Sequence, residues 1–105
     1  MSEVIWIKSY VDFLDAISTP GRVVVDFTAP AWCVPCQRFA PHYERAAAEV
    51  NEVKFLAVDV DLNEWAMVRY GVRGVPTVKL FENGTFVRDV KAPQGALPFI
   101  NDIRS

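Results

Sequence analysis

The sequence predicts an α/β fold, a mixed β-sheet with helices on both faces. Two β-branched runs, Val23–Phe27 and Phe55–Val60, read as buried strands, and a helical stretch from about Cys33 to Val50 lies between them. Strand, helix, strand in that order implies a right-handed crossover and a parallel pair. Farther along, Glu82-Asn83-Gly84 carries the Asn-Gly signal of a tight hairpin, which adds antiparallel strands and makes the sheet mixed.

Each element has a local cause. Val4–Ile7 is an apolar run suited to a short first strand. Ser9 is a helix N-cap, with Asp12 three residues on as a carboxylate variant of the capping box. Phe13, Leu14 and Ile17 form the inward face of that helix, and Pro20-Gly21 stops it. In the long helix, Cys36, Phe39, Ala40, Tyr43, Ala47 and Val50 recur at helical spacing and are expected to face the core. Pro41 lacks an N–H and is expected to kink the helix. Asn63 is the expected N-cap of a short helix over Glu64–Tyr70, which Gly71 terminates. Thr77–Phe81 and Thr85–Val90 are the hairpin strands. A last helix runs from about Gly95 to Ile103 with Leu97, Ile100 and Ile103 as its apolar stripe.

The 105 residues fit one domain, 1–105, and leave no room for two. Eleven Lys and Arg stand against thirteen Asp and Glu, and this slight acidic excess speaks against nucleic-acid binding. No apolar run approaches the roughly 20 residues of a membrane span. The start, Met1-Ser2-Glu3-Val4-Ile5-Trp6, has neither a basic segment nor a signal-like apolar core, so a cytoplasmic protein is expected. Two cysteines and one histidine, His42, are short of the four ligands of a closed zinc site, so no metal is expected.

Chemistry concentrates at Trp32-Cys33-Val34-Pro35-Cys36, between a buried strand and the long helix. Cysteines at i and i+3 on one turn are close enough to form a disulfide. Cys33 sits at the helix N-terminus, where unpaired N–H groups and the helix dipole stabilise the thiolate, its reactive form. Pro35 suits the first helical turn. Spacing alone equally allows two core cysteines or half of a metal site; the strand-to-helix context and the shortage of further ligands favour a redox pair. Asp26 is the second unusual residue. A carboxylate in a valine-rich strand either faces the surface near the strand end or is a desolvated acid able to exchange a proton with a thiol. Val75-Pro76, read as a bare X–Pro bond, is trans and punctuates a turn.

Together these residues resemble the thioredoxin family. The resemblance rests on Val25-Asp26-Phe27, Ala29, Trp32-Cys33, Pro35-Cys36 and Ala40-Pro41, then on Asp59-Val60-Asp61, Tyr70 to Thr77 and Phe81 to Gly84. It spans roughly residues 4–104 and implies a thioredoxin fold, with a central sheet of four or five strands and the dithiol at an exposed strand-to-helix junction. It also implies that Pro76 is cis beside the disulfide and that the Val75 backbone pairs with the substrate. By position, Cys33 is then the attacking thiolate, Cys36 the resolving thiol and Asp26 the buried acid. Trp32, Val34, Pro35, Gly74, Val75 and Pro76 border the substrate. The implied activity is protein disulfide reduction. The implied partners are disulfide-containing proteins and, as electron donor, an NADPH-dependent thioredoxin reductase; no cofactor is bound beyond the Cys33–Cys36 couple, and a monomer is expected.

Departures from the family pattern fall around the site. Val34 replaces the usual glycine between the cysteines and should stiffen the turn. Thr28 stands where a tryptophan is usual, and Pro30-Ala31 adds one residue before Trp32. Ala57 replaces a lysine facing the buried acid, so the Asp26 carboxyl is expected above its ordinary range. Lys91-Ala92 replaces a glycine near the substrate groove, with Lys91 read as a solvated surface lysine. His42 is read as a surface or packing residue, Trp65, Met67 and Tyr70 as docking or core residues, and Arg73 as a neighbour of the groove. Two other functions stay open: a more oxidising glutaredoxin- or isomerase-like exchange protein, and a binding subunit of a larger assembly.

Overall fold

The computed structural model describes residues 3–92 and 95–105; Met1, Ser2, Pro93 and Gln94 lie outside them. The elements run β1 (Val4–Trp6), α1 (Tyr10–Ile17), β2 (Arg22–Thr28), α2 (Val34–Glu49), β3 (Val53–Asp59), α3 (Trp65–Tyr70), β4 (Thr77–Glu82), β5 (Thr85–Val90) and α4 (Ala96–Arg104). Five strands form one sheet in the order β1-β3-β2-β4-β5. β1, β3 and β2 are parallel, while β4 and β5 are antiparallel additions.

Period-2 alternation explains the two cores. Val23, Val25 and Phe27 of β2 join Leu56 and Val58 of β3 in a cluster with Phe13 and Ile17 of α1. Val24 and Phe55 face the other way, into a cluster with Phe39 and Tyr43 of α2 and Phe99 and Ile103 of α4. Asp26 alternates with Val25 and Phe27 and therefore lies on the α2 side with Val24, paired in register with Ala57. The Tyr43 hydroxyl lies 2.6 Å from the Leu56 carbonyl and 3.1 Å from that of Val24, tying α2 to both central strands.

Local signals hold at most element ends. The Ser9 hydroxyl accepts the Asp12 N–H at 3.1 Å, and Gly71 closes α3 in the left-handed conformation. Asn83 and Gly84 take φ of 52° and 84° at the hairpin tip, which is pinned to the turn at Gly21 through the Asn83 carboxamide. Ser9→Ala is expected to cost about 1 kcal/mol through the lost cap, read as a lower denaturant midpoint at unchanged slope.

Four expectations are corrected. Leu14 and Leu97 are exposed, at 39% and 60%, while Phe99 is buried in the place the stripe gave to Leu97. Helix α4 turns Ala96, Phe99, Ile100 and Ile103 inward because Phe99 packs edge-on against Phe39, with centroids 5.2 Å apart. Ala40 is only half-buried, and Ala46 joins Tyr43 and Ala47 in the core. Asn63 is not the cap of α3: its buried amide donates to the Asp59 carbonyl and accepts from the Trp65 indole, and Glu64 holds the cap position without a side-chain bond. Among the described residues no helix is long and apolar enough to cross a membrane.

Candidate active site

The central strand β2 ends at Thr28, and the chain turns through Pro30, Ala31 and Trp32 into α2. Ala29 organises this turn, its carbonyl accepting the N–H groups of Trp32 and Cys33, and the Gln37 amide donates to Pro30 O at 2.9 Å. The added residue is thus absorbed in a bonded turn. Cys33 is the N-cap of α2, and its sulfur accepts the Cys36 N–H at 3.2 Å. A helix N-terminus therefore aims a donor at the sulfur, the arrangement that favours negative charge there.

Cys33 and Cys36 are joined as a disulfide, with Cα atoms 5.2 Å apart. The junction itself is exposed, Trp32 at 61% and Val34 at 51%, but the cysteines are 4% and 1% exposed. The junction is exposed as the resemblance implies, with the sulfurs tucked beneath it. The loop before β4 covers them, bringing the Val75 carbonyl within 3.6 Å of the Cys33 sulfur. The Val75–Pro76 bond is cis, as the family resemblance implies and the bare X–Pro reading does not.

Two grooves flank this centre. On one side Trp32, Gly74 and Val75 line a depression with Val60, Asp61, Met67 and Arg73. The Trp32 indole N–H donates to Asp61 at 2.7 Å, which fixes the ring at the rim. On the other side Pro35 and Pro76 line a second groove with Arg38, Phe39, His42, Lys91 and Ala92. Trp65 and Tyr70 belong to the aromatic core around Phe13, whereas Met67 is on the rim. Sequence reasoning assigned no role to Asp61 or Arg38. Asp61 lies within a motif that matches the family, but its bond to Trp32 spans 29 positions.

Asp26 is 4% exposed and lies beneath the pair. A cavity of about 240 Å³ is lined by both Asp26 and Cys36, together with Thr28, Tyr43 and Ala57. Asp26 Oδ1 has no hydrogen-bond partner. Burial, with no cation opposite, raises the carboxyl from 3.8 to about 7. The surface-facing alternative for Asp26 is thereby excluded. Among the described residues no three His, Cys, Asp or Glu side chains cluster as metal ligands.

A mixed sheet with a disulfide at the N-terminus of the helix after its central strand defines a protein disulfide oxidoreductase of the Cys-x-x-Cys type. The thioredoxin family model matches residues 4–105, and the chain belongs to the thioredoxin family. It is 40% identical over 86 residues to a thioredoxin of Geodia cydonium, covering 80% of each chain. A mutant thioredoxin from Halobacterium salinarum superposes with a TM-score of 0.87 at 33% identity, over 97% of this chain and 88% of that one. Human protein disulfide-isomerase A6 is 44% identical over 66 residues, which are 58% of this chain but 15% of the isomerase. The activity is thiol–disulfide exchange at the Cys33–Cys36 pair.

Proposed function

We propose that the protein is an electron carrier that reduces protein disulfides and is itself recharged by an NADPH-dependent thioredoxin reductase. Its supporting observation is the asymmetric pair: Cys33 under the Val75 carbonyl at the rim, Cys36 facing the Asp26 cavity. Reduced Cys33, as thiolate, attacks one sulfur of the substrate disulfide, and the first substrate thiolate leaves. The substrate chain lies against Trp32, Val34, Pro35, Gly74 and Pro76 and pairs with the Val75 backbone. Cys36 then gives its proton to the Asp26 carboxylate, across water in the shared cavity, and attacks the Cys33 sulfur. The second substrate thiol departs and the intramolecular disulfide re-forms. Two electrons have passed to the substrate, and no cofactor beyond the dithiol couple is needed. The proposed setting is the cytoplasm, as a monomer, where a reducing pool keeps such couples charged.

Likeness to the isomerase favours a second reading, a more oxidising exchange protein. The reduction potential decides between them. Equilibration with thiol buffers, followed by Trp32 fluorescence and checked by alkylation, is expected to give a potential near the general thioredoxin value of about −270 mV. A value of about −200 mV or higher gives preference to the isomerase-like reading and makes Val34 the first residue to revert.

A further inference from the structure

The groove on the Pro76 side carries a charge pattern that disulfide exchange by itself does not require. It is lined by the apolar residues Pro35, Phe39, Pro76 and Ala92 together with Arg38, His42 and Lys91. No carboxylate lines it among the described residues. Arg38 and His42 lie four positions apart on α2 and so share a face, while Lys91 directly follows β5. Five cations elsewhere are paired with acids, among them Arg45 with Glu49, Lys79 with Asp89 and Arg104 with Glu52, while others such as Lys54 and Arg69 are engaged by a hydroxyl or an aromatic ring. Arg38 and Lys91 meet no carboxylate within ion-pair distance among the described residues. The opposite groove carries both signs, Asp61 and Arg73.

Two cations without an acidic partner among the described residues, in a groove shared with Pro35 of the Cys33–Cys36 turn and the cis Pro76, form half of an ion-pair site. We propose that this groove selects protein disulfides whose reacting cysteine is flanked by Asp or Glu, with Arg38 and Lys91 receiving the carboxylate. Lys91 is then a specificity residue and not a solvated surface lysine. The protein as a whole carries a charge of −2, so long-range attraction of acidic partners is absent. The preference therefore arises from local pairing and is confined to residues adjoining the disulfide. The inference rests on the exchange chemistry proposed above and adds a substrate class to it.

Three symmetric disulfide-linked peptides, identical except for Asp, Asn or Lys on either side of the cysteine, test it. Pre-reduced full-length protein is mixed with each peptide, the reaction is quenched by alkylation, and products are counted by mass. Each rate is divided by that of dithiothreitol with the same peptide, which removes the intrinsic effect of the flanking charge on the thiol. At low ionic strength the Asp peptide is expected to outpace the Asn peptide by about fivefold, as for one or two exposed ion pairs, and the Lys peptide to be slowest. The ratio should shrink toward one in about 1 M salt, where screening acts within about 3 Å. Arg38→Gln/Lys91→Gln should abolish the ratio, and Arg38→Lys should keep most of it. A corrected Asp-to-Asn ratio of one or less in the unmodified protein overturns the proposal, as does a ratio that survives the double substitution. Failure to reduce the Asn peptide at all overturns the exchange reading itself, so the two failures are distinct.

Discussion

Cys36→Ser is expected to stop the reaction halfway, with the substrate held on Cys33 by a disulfide that persists until an external thiol is added. Turnover falls to the uncatalysed background, and a band of added mass appears on a non-reducing gel. Cys33→Ser is expected to lose turnover just as fully but to trap nothing. The asymmetry follows from position. Cys33 caps α2, accepts the Cys36 N–H at 3.2 Å and lies next to the Val75 carbonyl, between two grooves able to receive a chain. Cys36 is 1% exposed and faces inward, toward Asp26. Both sulfurs are nearly buried, so the proposed roles rest on direction: Cys33 lies at the helix end beside Val75 and Cys36 faces Asp26, and in that scheme the second sulfur acts on a bond already formed to the first. Equal trapping by both variants would refute the assignment of roles. Full activity in the Cys33→Ser/Cys36→Ser double variant, in an assembly that contains this chain, would point instead to a binding subunit.

What could be read along the chain was whatever depends on near neighbours. The strands Val23–Phe27 and Phe55–Val60, the Asn83-Gly84 turn and the Ser9 cap each rest on a few consecutive residues, and each is found in the structure, the second strand shifted to Val53–Asp59. Errors came where orientation is decided across the fold. Leu97 and Phe99 both fit an apolar stripe on α4; contact between Phe99 and Phe39 chooses between them, and small Ala96 gives little sign of being inward. Asn63 has the chemistry of a cap, but its amide is taken by Asp59 O and the Trp65 indole. The same holds at the site. The cysteine pair and Asp26 announce themselves by residue type and context, whereas the Trp32–Asp61 bond and the convergence of Arg38 with Lys91 exist only once β3, α2 and β5 are assembled.

The largest stability effect is expected from Asp26, and its sign is opposite to that of an ordinary acidic residue. Most native carboxylates are held below their unfolded values and stabilise the protein as pH rises. The Asp26 carboxyl is raised from 3.8 to about 7 because it is desolvated, with no cation opposite and no partner on Oδ1. Below the unfolded value both states hold the proton and the group contributes nothing. Between 3.8 and about 7 the unfolded chain has released it while the native protein keeps it, so stability falls as pH rises. Above about 7 the loss levels off, at about 4 kcal/mol from about 1.36 kcal/mol per unit. Asp26→Asn removes the titration, although its buried amide carries its own cost. Urea unfolding of the disulfide form at two pH values cancels that cost. The stability of the variant relative to wild type should be more favourable at about pH 8.5 than at about pH 3.5 by about 4 kcal/mol. A change below about 1 kcal/mol would mean that the carboxyl titrates as an exposed one. The same substitution is expected to slow release of substrate from the mixed disulfide by about a hundredfold, the scale of a lost proton acceptor. In the wild-type protein that step should quicken as pH rises through the ionisation of Asp26, and in the variant this inflection should vanish. In the proposed reaction this burial has a use, because it holds the carboxyl's proton affinity near that needed to take a proton from Cys36 and return it in the next cycle.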